Sequence, residues 1–239
     1  MSNSLTTAID QPLVSVVMAT YNGERFVGIQ LESILSQTYP HLEVIIVDDG
    51  STDSTYSILE GYATKDHRIK LFRNEKNLGY VKNFEKGLSL ATGEYIAPSD
   101  QDDIWLPHKI QFLLDRIDKS AVIYANSALI DESGELMGRK LSDVKRLATF
   151  NDCLNYTIGN SAPGHGMLLK REIVTASFPL PTMIPHDYWL GFVATFYSEL
   201  TYVDEVLVLY RQHGANVFGA AKVKSDSPVK PIRKQKTNA

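Results

Sequence analysis

Between Leu13 and Ala125 short apolar runs alternate with segments of helical periodicity, and few architectures accept that alternation. The runs are Leu13–Ala19, Leu42–Val47, Ile69–Phe72, Glu94–Pro98 and Ala121–Ala125. Between them Val27, Leu31, Ile34 and Leu35 share a helical face, as do Ile110, Leu113, Leu114 and Ile117. Two more helices are expected, one over roughly 54–64 and one opened by Asn77-Leu78-Gly79 and running to Leu90. Strands that are apolar almost throughout are covered on both faces. The expected fold is therefore α/β, with a mostly parallel central sheet flanked by helices and a smaller mixed region in the second half. Ligands of such sheets bind beyond the carboxyl ends of the strands.

The unusual residues fall at those ends. Thr20-Tyr21-Asn22-Gly23 follows the first run, Asp48-Asp49-Gly50-Ser51 the second, and Asp100-Gln101-Asp102-Asp103 the fourth. Three carboxylates within four positions repel one another unless a cation or a row of donors compensates them. A hard divalent metal with oxygen ligands, shared with a diphosphate, is one solution. A solvated acidic turn, with Asp103 starting the next helix, is the alternative. Asp49-Gly50 can likewise be a simple turn.

After residue 126 the rhythm changes. Asp131–Glu135 reads as a hairpin turn, 136–165 is not assignable, and Gly166–Leu169 reads as a strand followed by a short helix. Trp189, Phe192, Val193 and Phe196 recur at helical spacing from His186-Asp187 onward. Leu200–Val203 and Val206–Tyr210 read as two closing strands. The expected layout is a loose segment 1–11, a domain over 12–219 divided near 125, and a flexible tail over 220–239. That tail carries six basic residues and one acid, suited to solvation or to peripheral contact with a membrane surface.

A net charge of −4 argues against a nucleic-acid partner. The single cysteine, Cys153, excludes an internal disulfide framework and a cysteine-based zinc cluster. Neither a secretory leader nor a run long enough to span a bilayer is evident. The expected setting is cytoplasmic, including the inner face of the cell membrane.

Four stretches in order, PLVSVVMATYN from Pro12, VIIVDDGSTDS from Val44, NLGYVKNFEKG from Asn77 and TGEYIAPSDQDDIW from Thr92, resemble the family 2 glycosyltransferases of the GT-A fold. The resemblance extends to about Gly219. It implies a Rossmann-like nucleotide-sugar-binding half (12–125) joined to an acceptor and catalytic half (126–219). It also implies transfer of a sugar from a nucleoside diphosphate to a hydroxyl, with Mn2+ or Mg2+ as cofactor. Thr20, Tyr21 and Asn22 match the first nucleotide loop, where Tyr21 can lay an aromatic face on a pyrimidine. Asp48 and Asp49 match the acidic pair that reads the base, with neither favoured. Lys82 and Asn83 lie where members often carry a positive or amide group near the nucleotide; ordinary helix surface is the alternative for Lys82. Asp100 and Asp102 match the two acids of the DxD motif, with Gln101 between them. By that analogy Asp102 is the direct metal ligand and Asp100 sits nearer the ribose or a metal water. Asp103 supports them or caps the following helix.

In the second half, Pro185-His186-Asp187-Tyr188-Trp189 resembles the segment that supplies the catalytic base, matching Asp187; a helix cap is the alternative reading. His186 and Trp189 in that segment, and Gly164 and His165 in Pro163–Met167, are expected at the sugar or acceptor. Tyr210-Arg211-Gln212-His213-Gly214-Ala215-Asn216 resembles bacterial rhamnosyltransferase-like members, which implies His213 as a further metal ligand and Arg211 as a diphosphate contact. The implied donor is dTDP-L-rhamnose, with UDP-hexose or UDP-N-acetylhexosamine as alternatives. The implied acceptor is a glycan or lipid-linked glycan of a bacterial surface polymer. A QxxRW signature of processive members is absent. A sugar nucleotidyltransferase would open on a glycine- and basic-rich phosphate loop, which Thr20–Gly23 is not. A non-catalytic sugar-nucleotide-binding module is disfavoured by the presence of both Asp102 and Asp187.

Overall fold

The computed structural model describes residues 11–159 and 162–214. A nine-stranded sheet runs through it in the order β3-β2-β1-β4-β8-β6-β9-β5, with β7 paired to β6. The first half matches the alternation read above. Strands β1 (Val14–Thr20), β2 (Leu42–Asp48), β3 (Ile69–Arg73) and β4 (Tyr95–Ser99) pair in parallel. Helices α1 (Val27–Leu35), α2 (Thr55–Ala63) and α3 (Tyr80–Leu90) connect them. On one face Val14, Val16 and Met18 meet Val27, Leu31 and Ile34 of α1 and Ile110 and Leu113 of α4 (Lys109–Ile117). On the other, Val17, Ile45 and Val47 meet Val81, Phe84 and Leu88 of α3. Each such aliphatic side chain contributes roughly 1.5–3 kcal/mol when fully buried. Gly87 lets α3 lie this close: a Cβ there would stand 2.6 Å from Val17 Cγ1.

The second half is mixed, as expected of the acceptor side, but its strand order differs from chain order. β6 (Val122–Ile130) does not extend the parallel set. The antiparallel β8 (Met167–Lys170) is inserted between β4 and β6. The two expected closing strands are one, β9 (Leu200–Arg211), parallel to β6 with register shifts near Asn126. Asp204 and Glu205, which read as a break, lie inside it, and Asp204 accepts a hydrogen bond from Asn126. Half of the eight strand pairings are therefore antiparallel, and the sheet is mixed. β5 (Ile104–Trp105) and β7 (Leu136–Lys140) had no readable signal, being very short and exposed, respectively. The unassigned stretch also holds α5 (Cys153–Gly159). The turn at Asp131–Glu135 is present, closed by Asp131 and Glu135. α6 (Arg171–Ala176) and α7 (His186–Ala194) fall where expected. Residues 1–10 and the basic tail lie outside the described residues. Among those described, no helix is long and apolar enough to cross a membrane.

One buried carboxylate ties the parallel half together. Glu43 on β2 accepts from Ser15 Oγ of β1, Lys70 Nζ of β3, and both the amide and hydroxyl of Thr92 before β4. Burial alone would raise its pKa, but these donors outweigh it and pull it from 4.5 down to about 2. Folding therefore favours the ionised form. The stabilisation is complete above the unfolded value near 4.5 and is lost as pH falls towards 2. Glu43→Gln is expected to remove on the order of 3 kcal/mol at neutral pH, a drop of roughly 6–12 °C in thermal midpoint. The mutant should also lose the acid-side slope over that window; thermal melts at pH 3, 5 and 7 check this.

Candidate active site

Parallel register places the loop clusters side by side. Thr20 aligns with Asp48, and Met18 with Ser99, so the ends of β1, β2 and β4 form one rim. A cavity of about 880 Å³ opens above it. Its walls include Thr20, Tyr21, Asn22, Asp49, Asp100, Gln101 and Asp102 from the first half. The second half contributes Gly164, His165, His186, Asp187 and His213.

On the nucleotide side, Gln101 receives the Tyr21 amide on Oε1 and donates Nε2 to the Tyr21 carbonyl, leaving the ring 45 % exposed. Asn22 takes a left-handed φ of 46°, a conformation that asparagine tolerates, and its Oδ1 receives the Thr52 amide. The acidic pair divides its labour. Asp48 is turned inward, spending its oxygens on Thr20 Oγ1, Ser51 N and Oγ, and Arg73. Asp49 lines the cavity while accepting from Asn74 Nδ2 and the Leu78 and Gly79 amides.

The acidic run is not a solvated turn. Asp102 Oδ2 lies 2.8 Å from His213 Nε2, and His213 packs on Phe26 at 5.2 Å between ring centroids. Asp103 is wholly buried, and its Oδ1 receives the Arg211 amide. Its Oδ2 faces His165 Nδ1 at 3.6 Å with no hydrogen-bond partner among the described residues. Asp103 does not cap α4, whose N-cap position is His108. Burial pushes the Asp103 carboxyl well up, reinforced by the charges of Asp102 and Asp100. Asp102 is also raised by burial and by Asp100, against the pull of His213. For Asp100, burial is outweighed by His165, whose Nδ1 is 3.8 Å away, and the carboxyl is held below its usual range. Beneath them Lys109 is fully buried, donates to the His165 carbonyl, and is driven well down by desolvation.

The donor chemistry fits a divalent cation. Asp102 and His213, whose Oδ2 and Nε2 are 2.8 Å apart, are a carboxylate and an imidazole that would together hold such an ion. Asp100, Asp103 and His165 form a second convergent set, with ligand atoms all within 4.8 Å of one another. Asp103 is the fully buried acid of that set.

Four expected site residues are not brought to the cavity wall. Lys82 pairs with Glu85 and faces a separate groove lined by Leu78, Phe178 and Pro179. Trp189 turns from the site, donating its indole N–H to the Ser177 carbonyl and packing on Phe192. Arg211 is 2 % exposed, and its guanidinium donates to the carbonyls of Asp102, Asp131 and Glu132, so it braces the acidic loop from below. Asp48 is the fourth, turned inward as described.

Conversely, Arg25, Glu132 and Lys145 line the cavity without having been anticipated. Arg25 pairs with Glu132 across its mouth. Nothing local marked them, because the β6–β7 turn meets the start of α1 only on folding. Also on the cavity wall, Asp187 accepts the Gly164 amide on Oδ2 at 3.1 Å and the Tyr188 amide on Oδ1 at 2.8 Å. Gly164 permits that approach, since a Cβ there would stand 3.1 Å from Asp187 Cβ.

The family description Glycosyl transferase family 2 fits residues 15–178. The chain belongs to glycosyltransferase family 2. A Haemophilus influenzae protein named as an uncharacterized glycosyltransferase is 30 % identical over 237 residues, covering 94 % of this chain and 73 % of that protein. The Escherichia coli UDP-Glc:alpha-D-GlcNAc-diphosphoundecaprenol beta-1,3-glucosyltransferase WfgD is 32 % identical over 186 residues, 76 % of this chain and 69 % of its own length. In fold, this glycosyltransferase is similar to Staphylococcus aureus TarS residues 1–349 in complex with UDP-GlcNAc. The TM-score is 0.70 and the identity 23 %, over 85 % of this chain and 59 % of that one. It is also similar to the Pyrobaculum calidifontis mannosyltransferase PcManGT in complex with GDP-Man and Mn2+, with TM-score 0.64 and 21 % identity over 83 % and 56 % of the two chains. This chain thus spans little more than half of either solved chain. The shared architecture is the GT-A α/β fold with a curled mixed sheet.

Proposed function

We propose that this glycosyltransferase moves one sugar from a pyrimidine nucleoside diphosphate to an acceptor hydroxyl in a single inverting displacement. The observation carrying this reading is that the Asp100–Asp102 loop, the Tyr21–Asp49 rim and Asp187 all line one cavity. At about 880 Å³ it is large enough for a nucleotide sugar.

Asp49, rather than Asp48, is the residue for a base N–H, and the exposed Tyr21 ring is the surface for stacking the base. Asp102 and His213, with Asp100, would hold Mn2+ or Mg2+. What such an ion supplies when bound is neutralisation of the charge that builds on the leaving diphosphate. Arg25 and Lys145 are the lysine and arginine side chains on the cavity wall, and they take the diphosphate-facing role expected of Arg211. Arg211 instead positions the acidic loop. As the acceptor oxygen bonds to the anomeric carbon, the bond from that carbon to the phosphate oxygen breaks and its electron pair leaves with the diphosphate. The acceptor proton passes to Asp187. The Gly164 and Tyr188 amides each occupy one lone pair of that carboxylate, which orients it and leaves others for the proton.

Two donor classes remain in the reading. The tail motif points to dTDP-L-rhamnose, whereas relatives named for UDP-glucose or solved with UDP-GlcNAc favour a uridine diphosphate sugar. The acceptor is a glycan or lipid-linked glycan intermediate. The test is slow donor hydrolysis with Mn2+ across dTDP-rhamnose, UDP-glucose, UDP-GlcNAc and GDP-mannose. Hydrolysis of a pyrimidine-linked donor, abolished by EDTA, is expected. Exclusive use of GDP-mannose, or turnover indifferent to EDTA, would overturn the base or the metal assignment.

A further inference from the structure

Asp49 lines the cavity with most of its accepting capacity already spent on the protein. Its Oδ1 takes two donors, Asn74 Nδ2 at 2.7 Å and the Leu78 amide at 2.9 Å. Its Oδ2 takes one, the Gly79 amide at 3.0 Å, and that N–H is divided with Asn77 Oδ1. A carboxylate has about four acceptor sites, so the one left over belongs to Oδ2.

Two of these donors are backbone amides; the third is a side chain. Asn74 follows β3 directly and is 6 % exposed. Its Nδ2 also donates to Asn83 Oδ1 at 2.9 Å, and its Oδ1 accepts from Lys86 Nζ at 2.7 Å. Asn83 is fixed in turn by donating to the Val47 carbonyl. Reversing the Asn74 amide would set its oxygen against two acceptor oxygens and its N–H groups against an ammonium. The nitrogen therefore faces Asp49, and every polar atom of the amide is occupied.

Uracil and thymine carry a single N–H, at N3, on the edge that a carboxylate reads. Guanine carries two adjacent donors, N1–H and the exocyclic amine, which a carboxylate receives by using both oxygens. Resting on the base-reading role given to Asp49 above, we propose that Asn74 is a positioning residue that sets base selectivity. By occupying Oδ1 it reduces Asp49 to one acceptor, suited to uracil or thymine. A guanine there would leave a buried donor without a partner.

The test titrates UDP, GDP and inosine diphosphate, each with Mn2+, into wild type and Asn74→Leu. Inosine keeps the N1–H of guanine and lacks the amine, so the two purines differ in donors and hardly in size. Wild type is expected to bind UDP best, and inosine diphosphate about tenfold more tightly than GDP. Leucine is close to asparagine in size and keeps water out of the vacated place, so Oδ1 regains a lone pair. In Asn74→Leu the preference between the purines should shift about tenfold towards GDP. The factor by which Mn2+ tightens UDP binding should be unchanged.

A purine preference that is the same in Asn74→Leu as in wild type, or an equal loss for all three nucleotides, would overturn the proposal in favour of a structural role. So would a wild type that binds GDP as tightly as inosine diphosphate, a result that needs no variant. Binding of neither purine by either protein would overturn it too, because size alone would then exclude them. If 3-methyluridine diphosphate binds wild type as tightly as UDP, Asp49 loses the base-reading role on which the inference rests. Failure of wild type to bind either UDP or dTDP with Mn2+ would instead remove the transferase reading itself.

Discussion

Asp187→Asn is expected to lower the rate of sugar transfer by about 10²–10⁴-fold while leaving nucleoside diphosphate affinity unchanged. The amide is isosteric, and its oxygen can keep one of the two backbone hydrogen bonds that orient the carboxylate, from Gly164 or Tyr188. What disappears is the capacity to take the acceptor's proton as its oxygen attacks. The loss should fall on kcat, with the donor KM little altered, because neither Asp49 nor Tyr21 hydrogen-bonds Asp187, whose carboxylate partners among the described residues are the Gly164 and Tyr188 amides. Transfer assays paired with isothermal titration of UDP or dTDP separate the two effects. A mutant keeping most of its activity would return Asp187 to the role of a helix-start residue. A mutant with lost nucleotide affinity would instead show that the 163–166 loop had collapsed.

The second large effect is expected at Asp102. Its carboxylate stands 2.8 Å from His213 Nε2, a pairing that joins the acidic loop to the chain following β9. Asp102→Ala should weaken Mn2+-dependent nucleoside diphosphate binding by about 100-fold or more. It should leave the weaker, metal-free binding of the nucleoside intact, since Asp49 and Tyr21 are untouched. Stability should change little or improve, because the acid is held above its usual carboxylate pKa by burial and by Asp100. Removing it relieves that repulsion. Titration of UDP with and without Mn2+, together with a thermal melt, distinguishes these results. Nucleotide affinity that keeps its full manganese dependence in Asp102→Ala would transfer the metal to the convergent set of Asp100, Asp103 and His165.

Local pattern was a good guide wherever one segment reports on itself. The parallel run β1–β4, the helices between its strands and the start of α7 at His186 all follow from periodicity and turn residues. The same holds for the clustering of Thr20–Asn22, Asp49 and Asp100–Asp102 at one edge, since parallel strands must end together. Where a residue's role depends on its partner across the sheet, the pattern was silent. Asp48 and Asp49 are identical neighbours in sequence, yet alternation along an extended chain sends one to Ser51 and Arg73 and the other to the cavity wall. Lys82 and Trp189 carry plausible chemistry but are claimed by Glu85 and by the Ser177 carbonyl.

From the residues alone come the α/β class, the family and the neighbourhood of the site, because each is written in patterns within single short segments. Tertiary packing supplies the rest. It inserts the antiparallel β8, fuses the last strand, buries Arg211 as a brace, and brings Arg25 and Glu132 together across the cavity mouth. Those features depend on which distant segments compete for the same hydrogen bonds and the same space. That competition is resolved only when the whole sheet has formed.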